Sequence, residues 1–441
     1  MTDTQILKFL LALAFVVVLA RVAGRVARRF GQPDVIGELA IGIVVGPTLL
    51  HGRVADLLFP GTVRPFLNAV ANLGLVVFMF VVGLELDRRT VREVGRATAG
   101  AALGSTLAPL ALGALLGLYL APRHAAGHET GFVLFMAVAM AVTAFPVLAR
   151  IIGDRGLGGT LLGTVALSTA AVCDVVAWTL LAAVQAMVGD ASAWQIALLV
   201  PYVAVMFLVV GPLLGRSGLA DALSARSPSA LAVVLIGLLL SAAATQALGL
   251  HFIFGAFLFG LVLPRGRTDE ARSALLGSVQ FGTVLLLPAY FVLVGLKVNL
   301  ADTTMKDVLD FGLILLTAVV AKFGGAFVGA RLQGLPTRTS ALLAVLMNTR
   351  GLTELVALGV GLSMGVLDRD LYGLMVVMAL VTTAMTGPAL RLLGVDRPAE
   401  GSAPGAPHRE PAAPAAPGAP AAPGGPVASG EEGPGEVRTF P

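Results

Sequence analysis

The chain has 441 residues, of which 57% are hydrophobic and 13% charged, with a formal net charge of +4. Soluble domains carry about 25% charged residues, so this chain lacks the groups to clothe a water-facing surface of its size, and its apolar content excludes disorder over most of its length. One cysteine, Cys173, excludes a disulfide scaffold. What remains is an all-α polytopic membrane protein whose basic balance reads as arginine-rich cytoplasmic loops, with no nucleic-acid partner.

A membrane-crossing helix needs about 20 mostly apolar residues. In chain order the sequence predicts thirteen transmembrane helices: Gln5–Gly24, Pro33–Leu50, Phe66–Leu86, Ala97–Ala121, Gly131–Ile152, Gly158–Val188, Trp194–Leu214, Ser229–Leu248, His251–Pro264, Leu275–Leu296, Val308–Leu332, Ser340–Met364 and Leu371–Leu393. The second and ninth are short. The break between the eighth and ninth is the weakest, and joining them would leave twelve. No cleavable leader is expected, because arginines follow the first segment where a small-residue site would stand. Loop charge decides the count. With thirteen spans the odd-numbered loops hold seventeen arginines and the even-numbered loops six Lys and Arg. The positive-inside rule then sets the N-terminus outside and the C-terminus in the cytoplasm, whereas joining the two segments would put Arg265, Arg267 and Arg272 outside.

Residues 1–395 are thus expected to form one transmembrane domain. Residues 396–441 are Pro/Ala/Gly-rich and read as a disordered cytoplasmic tail. The tail has no strand with a GxGxxG turn, so no nucleotide partner is expected.

An internal repeat is visible. IGELAIGIVVGP (Ile36–Pro47) is matched in small-residue spacing and closing proline by FIFGAFLFGLVLP (Phe252–Pro264). FMFVVGLELD (Phe78–Asp87) is matched by AYFVLVGLKVN (Ala289–Asn299). Five-helix repeats over about residues 33–188 and 251–393 lie seven spans apart, an odd number, so their orientations are inverted. Inverted repeats around a midplane site are a plan of secondary transporters.

An ionisable residue deep in a span is costly and needs a reason. Asp174 lies near the centre of the sixth segment, with Ser168, Thr169 and Cys173 nearby in the chain. Lys322 lies near the centre of the eleventh. Arg350 and Glu354 are four residues apart in the twelfth, on one helical face. Two spans read as broken. The fifth contains VTAFPVLAR (Val142–Arg150), where Pro146 removes a backbone donor and frees a carbonyl near residue 142. The twelfth contains Asn348, Thr349 and Gly351 at the corresponding place. Unwound backbone at membrane depth is tolerated where it lines a cavity or is buried in protein, and half-helix ends there bind or repel ions. Lys322, Arg350 and Glu354 would offset those ends.

Burial penalises the ionised form of a lone carboxyl, so Asp174 can hold a proton or a small cation but not both. Alternate opening to the two sides turns that competition into antiport. The hydroxyls of Thr143, Ser168 and Thr169 and freed carbonyls would complete an oxygen shell for the transported monovalent cation, with Cys173 a small neutral lining residue. Glu38 reads as a cap or a snorkelling group, Glu85 and Asp87 as solvated, and Gly325 with Gly329 as a close-packing pair. His51, His124, His128 and His251 fall at external edges and form no buried relay. No spacing of Cys and His suits a resident metal. No nucleophile–base set stands at depth, so neither an enzyme nor a cofactor is expected.

At these residues the chain resembles the second cation:proton antiporter family, which includes bacterial Na+/H+ and K+/H+ exchangers, Kef-type systems and plant cation/proton exchangers. TAFPVLARIIGDRGLGGTLLGTVALSTAAVCDVVAW (Thr143–Trp178) is the most specific stretch. QPDVIGELAIGIVVGPTLL (Gln32–Leu50), the Lys322 segment, NTRGLTELVAL and ALVTTAMTGP (Ala379–Pro388) are further blocks. The resemblance implies an antiporter fold with crossed broken helices, elevator-like movement, a homodimer and a bacterial plasma membrane. Family members carry an acidic or amide residue before the aspartate of the sixth helix. Here that position is Cys173, so one carboxylate remains and electroneutral exchange of one proton per Na+ or K+ is expected. A gated K+ efflux pathway and a proton-coupled exporter of an organic solute remain as other readings.

Overall fold

The computed structural model describes residues 2–48, 52–85, 95–125, 128–157, 160–188, 193–216, 222, 227–263, 277, 286–301 and 303–395. The expected tail lies outside these residues, as do Asp87 and the Arg265, Arg267 and Arg272 cluster. Among the described residues all regular structure is helical.

Helix α1 (Asp3–Arg29) opens on a capping box in which Thr2 and Gln5 satisfy each other's amides, and closes with Arg28 and Arg29 at its negative end. Its buried residues, Ala12, Val16, Ala20, Gly24 and Ala27, recur every three or four positions and pack on α2 (Asp34–Val45) and α4 (Arg64–Glu85). Leu7, Leu10, Phe15, Val18 and Val22 are exposed on the other side. Small residues inside and large apolar residues outside are what a bilayer permits, because lipid is as apolar as leucine. The second predicted span runs to Leu50, but α2 stops at Val45, before Gly46 and Pro47. A short helix that the hydropathy pattern does not announce, α3 (Arg53–Leu58), follows.

The chain continues through α5 (Arg96–His124), α6 (Glu129–Ala141), α7 (Phe145–Asp154) and α8 (Leu161–Val188). The seventh predicted span is not one regular helix: α9 (Ala193–Val205) passes through a π-helical turn at Met206–Val210 into α10 (Gly211–Arg216). Then come α11 (Pro228–Ala247), α12 (Phe252–Val262), α13 (Leu286–Gly295), α14 (Met305–Leu332), α15 (Thr337–Met347), α16 (Leu352–Ser363) and α17 (Arg369–Leu392). The weakest predicted break is present, since Gly249 at φ +83° turns the chain between α11 and α12. Among the described residues nine stretches are long and apolar enough to cross a membrane, α6 with α7 counting as one. Helices α12, α13, α15 and α16 are shorter apolar pieces.

One packing contact positions the site. Helices α5 and α14 approach backbone to backbone along Gly100 and Gly104 on one side and Gly325 and Gly329 on the other. A Cβ on Gly104 would lie 2.1 Å from the Gly325 carbonyl oxygen. Gly325 and Gly329 therefore pack within the chain, and they bring Lys322, one turn earlier on α14, against α5.

Candidate functional site

Two interrupted helices meet at the centre of the fold. Helix α6 ends at Ala141, residues 142–144 leave the helical path, and α7 begins at Phe145. Pro146 stands in the first turn of α7, where a missing N–H leaves no bond unmade, so it starts the second half-helix and does not kink a continuous one. In the second interrupted helix, α15 ends at Met347 and α16 begins at Leu352. Gly351 turns the chain between them at φ +150°, ψ −124°, a conformation open only to glycine. The breaks are bonded to each other. The Ala144 amide donates to the Thr349 carbonyl at 3.2 Å, and Thr353 Oγ1 donates to the Thr143 carbonyl at 3.0 Å.

The last carbonyls of a helix lack internal partners and carry partial negative charge. At α6 two cations meet them. Arg350 donates through Nη1 to the Ala139 oxygen at 3.2 Å and through Nη2 to the Met140 oxygen at 2.8 Å. Lys322 Nζ donates to the Ala141 oxygen, and to the Ser105 oxygen of α5 at 3.0 Å. Lys322 thus faces carbonyls, and among the described residues no ion pair joins it to Asp174. Arg350 sits in the break itself and not on the face of a helix, because Gly351 separates it from α16. It still reaches Glu354 in the first turn of α16, with Nη1 to Oε1 at 2.6 Å and neither side chain exposed.

Asp174 lies on α8, which packs against α5, α6, α7 and α15. Its exposure is 0%, and neither carboxylate oxygen has a side-chain hydrogen-bond partner. The Phe145 amide at the positive end of α7 faces it, and Lys322 is near enough to act on it. Thr143 Oγ1, Thr169 Oγ1 and Asn348 Oδ1 are likewise buried without a partner. Helical spacing separates the predicted ligands. Ser168 and Thr169 precede Asp174 by six and five residues, about 8–9 Å along the axis and turned off its face. Cys173 points to α5, with Sγ 3.5 Å from Thr106 Oγ1.

Several residues that hold this arrangement carry no charge and stand in the sequence only within the ALVTTAMTGP block. Thr383 Oγ1 of α17 donates to the Arg350 carbonyl at 2.5 Å, and Thr386 Oγ1 lies 3.3 Å from Thr349 Oγ1. Thr382, Thr383 and Thr386 are all buried. The available signal is a cluster of hydroxyls in an apolar span, spaced to return to one helical face.

A family model described as "Sodium/hydrogen exchanger, transmembrane" matches residues 12–395. The chain belongs to the sodium/hydrogen exchanger family. Within that family it is 36% identical over 403 residues to the Na(+)/H(+) antiporter NhaS4 of Synechocystis sp., covering 88% of this chain and 97% of that protein. It is 34% identical to Cation/H(+) antiporter 20 of Arabidopsis thaliana over 88% of this chain, and spans about half the length of such plant relatives, 48% in that case. It is 32% identical to K(+)/H(+) antiporter 1 of Saccharomyces cerevisiae, over 83% of this chain and 44% of that one. Its fold matches the solved structure of the sodium proton antiporter MjNhaP1 from Methanocaldococcus jannaschii at pH 8, with TM-score 0.63 and 14% identity, covering 88% of this chain and 100% of that one.

Proposed function

We propose that this exchanger-family chain is a secondary active antiporter, exchanging a monovalent cation, Na+ or K+, for protons by alternating access, with Asp174 as the shared carrier site. The observation that carries the reading is a fully buried carboxylate with no side-chain partner on either oxygen, at the junction of two broken helices. A carboxylate so placed accepts a proton or an oxygen-seeking cation, and each expels the other. Thr143 and Asn348, whose buried side-chain oxygens lack partners, complete the shell in this reading. The printed names of the relatives include Na(+)/H(+) and K(+)/H(+) antiporters, which supports a monovalent cation and leaves the choice between the two open.

The same proposal assigns thirteen passes: the nine long stretches, α2, α12, α13, and α15 with α16 as one. It takes α2 and α12, and the two broken pairs, as corresponding members of inverted repeats. The arginine-rich ends of α1 and α7 face the cytoplasm, the N-terminus lies outside, and the molecule works as a homodimer in a bacterial plasma membrane. Cys173 in place of a second acid makes the exchange electroneutral.

The test is proton flux in reconstituted liposomes, with Na+, K+, Li+ and Rb+ compared. Asp174→Asn, an isosteric change that leaves insertion intact, abolishes cation-dependent proton movement. Exchange at the unaltered rate in that variant refutes the reading.

A further inference from the structure

A cavity of about 200 Å3 opens where α1, α2, α7 and α13 come together, beside Arg21 and Arg150. Pro146 and Val147 form part of its wall. They follow directly on Phe145, whose amide faces Asp174, so the cavity reaches the layer next to the carrier carboxylate. Glu38 of α2 also lines it. Only 8% of Glu38 is exposed, and among the described residues its carboxylate is reached by charges at a distance and by no hydrogen bond. A buried carboxylate without a hydrogen-bonded partner is costly, and this one lines a space large enough for several waters.

The charges around Glu38 decide what it can carry. Arg21 and Arg28 face it from α1, Arg150 from α7, and Asp34 from one turn earlier on α2. The side offered by α13 is Leu287, Pro288 and Phe291, all without charge. Asp34 is engaged by Arg28 at 2.5 Å and approached by Arg150 at 3.7 Å. The mouth is therefore walled by guanidinium groups, which repel a bare metal cation resting in the cavity. A proton held on a carboxyl is neutral and meets no such repulsion.

We infer that Glu38 is a relay for the proton branch of the exchange, taking the proton that leaves Asp174 toward the cavity and releasing it at the arginine-lined mouth. This inference rests on the reading of Asp174 as the carrier. In the step, the Asp174 carboxyl gives its proton to cavity water and becomes a carboxylate, water passes a proton to the Glu38 carboxylate, and Glu38 later returns it to the bulk. The cation takes its place at Asp174 without lodging at Glu38. Water alone can carry part of the flux, so Glu38 raises the rate and is not indispensable.

The experiment uses the full chain in liposomes and records the cation KM, the maximal exchange rate, and the dependence of that rate on pH at the cavity side. Glu38→Gln lowers the maximal rate about tenfold, at the modest end of what a positioned proton-transfer group supplies. It changes the pH profile and leaves the cation KM unchanged. Glu38→Asp, which keeps a carboxylate one methylene shorter, retains an intermediate rate; if Glu38→Gln does not fold, that fall in rate at constant KM carries the test. A raised cation KM with an unaltered pH profile overturns the inference in favour of a cation-staging site, and an unaltered rate and profile overturn it outright. If Asp174→Asn abolishes exchange while Glu38→Gln is silent, the relay alone is refuted. If the unaltered protein shows no cation-dependent proton flux, the carrier reading and the relay fall together.

Discussion

Separating Arg350 from Glu354 exposes how the broken helices are held. The pair is wholly buried, and the Arg350 guanidinium donates to three oxygens: Glu354 at 2.6 Å, the Ala139 oxygen at 3.2 Å and the Met140 oxygen at 2.8 Å. Breaking a buried pair by removing one partner costs about 3–5 kcal/mol. Glu354→Leu leaves Arg350 with both carbonyls and the negative end of α6, so its loss falls at the lower end of that range. Arg350→Met strands an ionised Glu354 and two carbonyls as well, each deprived acceptor adding about 1–3 kcal/mol, so its loss reaches or exceeds the upper end. The double variant removes both charges and leaves only the carbonyls unmet. Thermal unfolding of detergent-solubilised protein, followed by size-exclusion fluorescence, should give Glu354→Leu as milder than Arg350→Met, and the double variant as milder than Arg350→Met alone. Additive losses in the double variant, or Glu354→Leu as the worse of the single changes, would refute a guanidinium anchored by the helix end.

Gly351→Ala places a side chain at φ +150° and brings its Cβ to 3.1 Å from Val147 Cγ2; the strain is about 1–3 kcal/mol, read as a lowered melting midpoint together with slowed exchange. Turnover in liposomes without ionophore should leave a potential-sensitive dye silent, and a dye response that follows the cation gradient would refute electroneutral exchange.

The parts of this site that are legible in the sequence are those whose burial is expensive. Asp174, Lys322, Arg350 and Glu354 stand out because a charge in an apolar span demands compensation, and the two breaks stand out through proline, glycine and asparagine. The partners are not legible. Lys322 lies 148 positions from Asp174, and whether it meets the carboxylate or the end of α6 depends on how closely α5 and α14 approach. That approach is set by Gly100 and Gly104, which look like any other small residues in apolar text. Ser168 and Thr169 are close to Asp174 along the chain yet removed from it by helical geometry, an arithmetic the sequence contains but adjacency hides. The π-helical turn at Met206–Val210 leaves the same apolar signature as a regular helix. Glu38 has the text of a helix-end acid, and only the cavity in front of it distinguishes it from one.

Among the described residues four ionisable side chains have no exposure at all: Asp174, Lys322, Arg350 and Glu354. With all of them ionised, two carboxylates balance two cations. A proton on Asp174 leaves one excess positive charge, and so does a monovalent cation beside the ionised carboxylate. On the proposed mechanism the moving body therefore carries the same charge in both directions, meets the same desolvation cost each way, and transfers no net charge per cycle. Lys322 does not enter the count as a carrier, because its ammonium lies on the Ser105 and Ala141 carbonyls at the negative end of α6 and not on the carboxylate where an arriving cation would displace it. Residue 173 is where this balance could be altered. A carboxylate there would add a second protonatable group directly beside Asp174 in the chain, and the proton-loaded and cation-loaded states would no longer carry equal charge. On the proposed mechanism the neutral Cys173 and the carbonyl-bound Lys322 act together: one removes the second acid, and the other keeps its positive charge apart from the exchange at Asp174.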